Sequence, residues 1–383
     1  MEYDRFYTHN IEIIDEYIKV TVIGKADLDY FITMIEEKRV CITQISSLTI
    51  EDVQIDSVPE QIDRLTNLYM IVFSSCPHLH TINLHVPRLR RIYIRNCNNI
   101  THISSLSTEI EMDFESCDIL PLLSRTDIDM HFVRILRLAS CDGFINSSIG
   151  LYRFHNLVSL AIIDCNNYTR VPDSIANMTS LVDIRFYGIP ITSISSSIAA
   201  LNLRYLELYM CMMFTGFEEG TVLPRTLRRL DFISCMIEYL PKIDHLDMLV
   251  DLHIGRCPVL KALPQTIGCL MSLKLLHIYE LNITYLPQSI HRLHGLAYLS
   301  IQKCDNLLAY PIQRACTKME SLTDVFITGN MNLVSIKGLR IRLHSHITLE
   351  VEDNPKLIDD MKQPISSHRN VYNGRIEYKY QLF

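Results

Sequence analysis

Nine cysteines in this chain close one recurring frame, apolar-x-x-apolar-x-apolar-x-x-Cys. "LYMIVFSSC" ends at Cys76, "LRRIYIRNC" at Cys97, "VRILRLASC" at Cys141 and "LVSLAIIDC" at Cys165. "LRYLELYMC" ends at Cys211, "LRRLDFISC" at Cys235, "LVDLHIGRC" at Cys257 and "LAYLSIQKC" at Cys304. "EIEMDFESC" ends at Cys117, with Glu109 in the first apolar place. Regularly spaced thiols could ligate a metal, pair as disulfides or act as nucleophiles. A metal needs ligands that converge on a point, whereas one thiol per repeat makes a ladder, and no C-x-x-C occurs. Rungs of a ladder point the same way, which is poor disulfide geometry. The frame therefore predicts nine inert, buried thiols; Cys41, Cys269 and Cys316 fall outside it.

The other reactive residue types are equally sparse in arrangement. His78, His80 and His85 cluster, as do His291 and His294, but no third or fourth ligand accompanies either group, so no metal site is expected. His253 and His277, with Asp231 and Asp251 nearby, are expected to titrate near neutral pH and to make binding pH-sensitive. There is no P-loop, G-x-S-x-G, H-E-x-x-H or kinase signature. No catalytic residue and no cofactor is assigned.

The elements that position these residues follow from the frame. In further copies the cysteine is replaced by Val53, Ile189, Leu281, Asn330 or Asn354, making 14 copies spaced by 20 to 26 residues. Each contains an alternating stretch such as Ser159-Leu160-Ala161-Ile162-Ile163, the signature of a strand with one buried face. Many copies continue as x-Pro-x-x-Ile-x-x-Leu/Met: "VPEQIDRL" (58–65), "VPDSIANM" (171–178), "LPQTIGCL" (263–270) and "LPQSIHRL" (286–293). Proline presets φ for a helical turn and its missing N–H costs nothing there. One such unit cannot bury its apolar side alone, but a stack can.

L-x-x-L-x-L-x-x-C/N followed by L-P-x-x-I-x-x-L resembles the leucine-rich repeat family, and in particular its intracellular cysteine-containing repeats. The resemblance covers about residues 45–354. It implies an α/β fold: a curved, right-handed solenoid of about 14 repeats with a parallel β-sheet on its concave side. In such repeats Cys or Asn turns inward at the first bend and bonds neighbouring backbone groups, Cys weakly and as a small hydrophobe. Residues 1–44 read as an N-terminal cap, with a strand at 16–24 and an amphipathic helix at 27–38 capped by Asp27. Residues 355–383 read as a C-terminal cap or tail, in which Ile376, Tyr378, Tyr380 and Leu382 share one face of a strand.

Function then falls to residues that the fold does not need. These are the outward strand positions two and four before the ladder site, flanked by the positions one and six before it. Early strands are charged, and stacking sets Arg91 against Glu111, Arg95 against Glu115 and Asp113 against Arg137. Later strands are aromatic. The candidate partner-binding set is Tyr93, Arg95, Arg185, Tyr187, Tyr205, Glu207, Tyr209, Arg229, His253, Arg256, His277, Tyr279 and Tyr298. Tyr and Arg are favoured in interfaces because each offers a large contact area with a polar tip.

Composition bounds the alternatives. The chain has 383 residues, 36 Lys and Arg against 43 Asp and Glu, a net charge of −7, no Trp and 12 Gly. No basic excess points to nucleic acid, and no run of about 18 apolar residues predicts a membrane span. The start, "MEYDRFYTHN", lacks a signal-peptide layout, so a cytoplasmic location, or a virion for a viral protein, is expected. The reading that results is a non-enzymatic scaffold that binds a protein partner on its concave face. The alternatives are a structural or assembly component, for example of a large DNA virus particle, and a substrate-recognition subunit of a ubiquitin ligase.

Overall fold

The structure is a computed structural model that describes residues 11–14, 17–39, 42–104, 106, 109–125, 130–141, 153–309, 321–335, 348–350 and 353–357. The expected strand carrying Ile376 to Leu382 lies outside the described residues, as do Cys41 and Cys316.

Alternation makes the strands and repetition stacks them. Sixteen strands pair in chain order in a single sheet. They are β1 (Ile11–Ile14), β2 (Tyr17–Ile23), β3 (Ile45–Glu51), β4 (Met70–Ser74), β5 (Arg91–Arg95), β6 (Ile110–Glu115), β7 (Val133–Ala139) and β8 (Ser159–Ile163). They continue with β9 (Asp183–Tyr187), β10 (Tyr205–Tyr209), β11 (Arg229–Ile233), β12 (Asp251–Gly255), β13 (Leu275–Tyr279), β14 (Tyr298–Gln302), β15 (Asp324–Thr328) and β16 (Thr348–Glu350). β1 and β2 form an antiparallel pair, and every later pairing is parallel. β3 to β16 coincide one for one with the 14 sequence frames.

The core runs the length of the stack behind the sheet. In the eighth strand's repeat Leu157, Leu160, Ile162 and Cys165 are each 0% exposed, while Ser159, Ala161 and Ile163 are half-buried on the other face. A fully buried Leu or Ile contributes roughly 1.5–3 kcal/mol, and each repeat adds several. Phenylalanines recur three places before the ladder site, at Phe73, Phe114, Phe186 and Phe232, and stack against neighbours such as Phe214, which lies 6.3 Å from Phe232 with rings 9° apart.

Where the repeat carries the proline pattern, the return segment holds a five-residue 3-10 turn: Glu60–Arg64, Asp173–Asn177, Gln265–Cys269 and Gln288–Arg292. The preceding proline sits at the cap with extended ψ rather than inside the first turn, and its carbonyl accepts the first bond, as from Ile62 N–H to Pro59 O at 3.1 Å. Where the repeat has no proline, at Ser196–Ala200, the Ser195 hydroxyl accepts from Ser197 N–H instead.

Near the N-terminus α1 (Gly24–Glu36) buries Leu28, Phe31, Met34 and Ile35, one amphipathic face packed on β2, β3 and the Glu60–Arg64 turn. Asp27 lies within its first turn rather than at the cap, which is Ile23 with no side-chain bond. Gly24 starts the helix from φ +79° directly after β2, so no residue is left to cap it from a loop.

One feature of the bend is uniform. In all 14 copies the residue just before the ladder site is left-handed, with φ between 49° and 69°. Two of these residues are Gly188 and Gly329; the others include Ser75, Asn96, Asp164, Met210, Arg256, Glu280 and Lys303. The twist turns the N–H toward the next repeat, where Asp164 N–H donates to Tyr187 O at 2.8 Å and Met210 N–H to Ile233 O at 2.8 Å.

Candidate interaction face

The ladder anchors the sheet face. Each described thiol of the frame is buried, and no disulfide links the described cysteines. Cys165 Sγ donates to Ile163 O on its own strand at 3.4 Å and to Leu138 O one repeat back at 3.6 Å, while Cys141 N–H donates to Cys165 Sγ at 3.4 Å. Asn330 makes the same bridge with shorter bonds: its amide donates to Thr328 O at 3.2 Å and Ile301 O at 3.1 Å, and its carbonyl accepts from Cys304 N–H at 2.9 Å. Cys and Asn are thus interchangeable rungs that join each bend to the repeat before it. The fold is a leucine-rich-repeat solenoid. Burial pushes the Cys117 and Cys304 thiols up to about 11 and Cys211 up to about 12.

With the repeats in register, three rows of side chains cover the sheet face opposite the core. The early half is charged and balanced. Arg91 pairs with Glu111 at 2.8 Å, Arg95 with Glu115 at 3.0 Å and Arg137 with Asp113 at 2.8 Å, the neighbours that stacking required. Tyr93 lies among them on β5, between Val72 and Asp113. Tyr93 and Arg95 are therefore separated from the rest of the candidate set by β6, β7 and β8.

The later half gathers the remaining candidates into three groups. On β9 to β11 the Tyr187 hydroxyl donates to Glu207 Oε2 at 2.6 Å, and its ring lies 5.8 Å from Tyr209. Tyr205 is 41% exposed beside them. Arg185 is held by Asp183 at 2.8 Å and Arg229 by Asp231 at 2.8 Å, each within its own strand. On β12 and β13 the His253 and His277 rings meet edge-on at 5.7 Å, and Tyr279 lies 4.8 Å from His277. The Tyr279 ring crosses Gly255, where a Cβ would sit 2.1 Å from it. Arg256 reaches Glu280 at 2.9 Å and lies 6.0 Å over Tyr279. Tyr298 forms a third group with Phe326, at 5.4 Å.

Burial overturns one expectation. His253 and His277 occupy the central row and are 5% and 7% exposed, with the flanking Tyr279 ring 4.8 Å from His277. Burial, aided by Arg229 and by the neighbouring ring, drives His253 down to about 3, and burial drives His277 down to about 4. Both are neutral across the neutral range and do not titrate there. In the same row Asp231 and Ser300 are 0% exposed, and burial pushes Asp231 up to about 7 against the pull of Arg229. Spacing alone marked this row as outward but carried no sign that it is covered. The small Gly255 beside a tyrosine was the one available hint.

Among the described residues no group of three or more His, Cys, Asp or Glu could hold a metal, and no helix is long and apolar enough to cross a membrane.

No protein-family model matches the chain. It is similar to TMV resistance protein N of Nicotiana glutinosa, 24% identical over 253 residues, covering 65% of this chain and 20% of that protein. It is also similar to disease resistance protein RPP4 of Arabidopsis thaliana, 25% identical over 228 residues, covering 52% of this chain and 19% of that protein. The chain thus spans about a fifth of the length of the curated relatives it matches. Among solved structures, the leucine-rich repeat domain of the type III effector XopL aligns at 22% identity and a TM-score of 0.44, over 57% of this chain and 76% of that one. A leucine-rich-repeat protein of Leptospira interrogans aligns at 15% identity and a TM-score of 0.33, over 87% of this chain and 94% of that one.

Proposed function

We propose that this chain is a non-enzymatic interaction scaffold that binds a protein partner on the sheet face, centred on β9 to β13. The observation that supports it is the aromatic and charged cluster around Tyr187, Tyr205 and Tyr209, which stands on repeat positions that packing leaves unconstrained. Early copies fill the same positions with Arg–Glu pairs that neutralise one another, and such exposed pairs contribute only about 0–1 kcal/mol each. The later strands carry instead the residue types that dominate interface energetics. Similarity to plant resistance proteins agrees with a recognition role and identifies no partner.

Crosslinking the full chain in its own cells would identify the partner, and Tyr187→Ala, Tyr209→Ala and Tyr279→Ala would test the face. The expected loss is on the order of tenfold or more in affinity for at least one variant. Unchanged affinity in all three, with unchanged melting, refutes the reading.

A further inference from the structure

The charge balance of the later strands differs from that of the early ones. Across β5 to β7, each carboxylate of the three facing pairs Arg91–Glu111, Arg95–Glu115 and Arg137–Asp113 has its own guanidinium. Across β9 to β12 the positions two, four and six before the ladder site hold four carboxylates, Asp183, Glu207, Asp231 and Asp251, against two guanidiniums, Arg185 and Arg229, while Arg256, one before its ladder site, pairs with Glu280 of the next repeat. Both guanidiniums are taken by a carboxylate two residues away on the same strand. Glu207 is left with a tyrosine hydroxyl on one oxygen. Its other oxygen, Oε1, is buried and has no hydrogen-bond partner among the described residues. Asp231, 0% exposed and the direct cross-strand neighbour of Glu207, is in the same condition at Oδ1. His253, the next residue along the row, is neutral and supplies no charge.

Two buried carboxylates side by side repel, and Asp231, raised to about 7, relieves part of that cost by holding a proton near neutral pH. A cation with several N–H donors would relieve the rest and release that proton. Tyr187, Tyr205 and Tyr209 stand around this pair, and aromatic faces attract cations as well. A guanidinium suits the place better than an ammonium, because its planar fork can serve carboxylates on adjacent strands while lying against a ring.

We propose that Glu207 and Asp231 form the receiving site for an arginine side chain of the protein partner, with the three tyrosines as its walls. The inference rests on the sheet-face reading above and specifies the partner's chemistry there. Tyr205 and Arg229, cross-strand neighbours two residues before Glu207 and Asp231, are 41% and, for the Arg229 side chain, 36% exposed, so the edge of the site reaches solvent.

The test uses the full chain and a fluorescent pentapeptide with a single arginine among glycine and serine, compared with the same peptide carrying neutral citrulline. Fluorescence anisotropy is expected to show the arginine peptide binding roughly tenfold more tightly. Glu207→Gln and Asp231→Asn should each erase that preference, and Glu111→Gln, on the balanced half of the same face, should keep it. Glu207→Gln retains an oxygen for the Tyr187 hydroxyl, so its melting curve should match the wild type. Equal binding of the two peptides, or a preference that survives Glu207→Gln, overturns the proposal. If the preference is absent but Tyr209→Ala still weakens the crosslinked partner, the arginine site falls and the sheet-face reading stands.

Discussion

At the scale of single residues, position in a row matters more than residue type. His253 and His277 carry side chains that usually switch near neutral pH, yet burial in the central row holds them neutral. Their values in the fold, about 3 and about 4, lie below the unfolded value of 6.5. The neutral rings thus contribute stability above about pH 6.5 that is lost as the pH falls through 4 and then 3. Asp231 acts in the opposite sense. Raised from 3.8 to about 7, its contribution is present below 3.8 and is lost as the pH rises through 7. Burial raises Asp113 and Asp251 too, and these carboxyls work with Asp231 against the histidines. Between pH 6.5 and 4 the histidine share of the melting temperature should fall on acidification. Each buried histidine accounts for on the order of 1 kcal/mol per pH unit. His277→Leu should make the fall shallower, and an unchanged slope in thermal melts would contradict the account.

Individual elements owe their form to the bend as much as to the strand. The left-handed residue before each ladder site is a repeated local cost, of about 1 kcal/mol when the residue is not glycine. It persists because the turned N–H completes the ladder to the next repeat, as at Met210 and Asp164. Two substitutions separate the cost from the benefit. Gly188→Ala places a Cβ at φ +61° and 2.1 Å from Asp164 Oδ1, and should destabilise the protein by about 1–2 kcal/mol. Met210→Gly at φ +54° keeps the backbone bond and relieves the twist, and should be neutral or stabilising by up to about 1 kcal/mol. Urea denaturation of the two variants checks both signs. The 3-10 turns follow similar logic, with Pro59, Pro172, Pro264 and Pro287 each in place at the cap.

For the whole molecule, the ladder makes the repeats one body. Thiols at rungs such as Cys165, Cys211, Cys235 and Cys257 bond the bend to the repeat before it, and all nine are buried. A thiol reagent at pH 8 should label Cys269, which is exposed, far faster than Cys76, Cys97, Cys117, Cys141, Cys165, Cys211, Cys235, Cys257 or Cys304. Rapid labelling of those nine in the folded protein, followed by mass spectrometry, would sink this picture. At alkaline pH the same burial works against the fold. Cys117, Cys211 and Cys304 hold their protons up to about 11 or 12, beyond the ordinary thiol value of 9.0. Stability present below pH 9 is therefore lost as the pH rises through that range, at up to about 1.4 kcal/mol per pH unit for each thiol.

Everything that depends on local period was legible in the chain itself. The frame from Leu157 to Cys165 already contained the strand Ser159–Ile163, its inward Leu160 and Ile162, and the buried rung. Cross-strand partners such as Arg91 and Glu111 were legible too, because equal frames in a parallel stack leave one register. What only the tertiary structure decided is which outward residues are covered. Asp231, His253 and Ser300 are outward by register yet buried, and their burial comes from packing between repeats, of which the Tyr279 ring over Gly255 is one instance. That packing is between residues more than 20 positions apart. It is also what buries Glu207 Oε1 and Asp231 Oδ1 on adjacent strands of the same row.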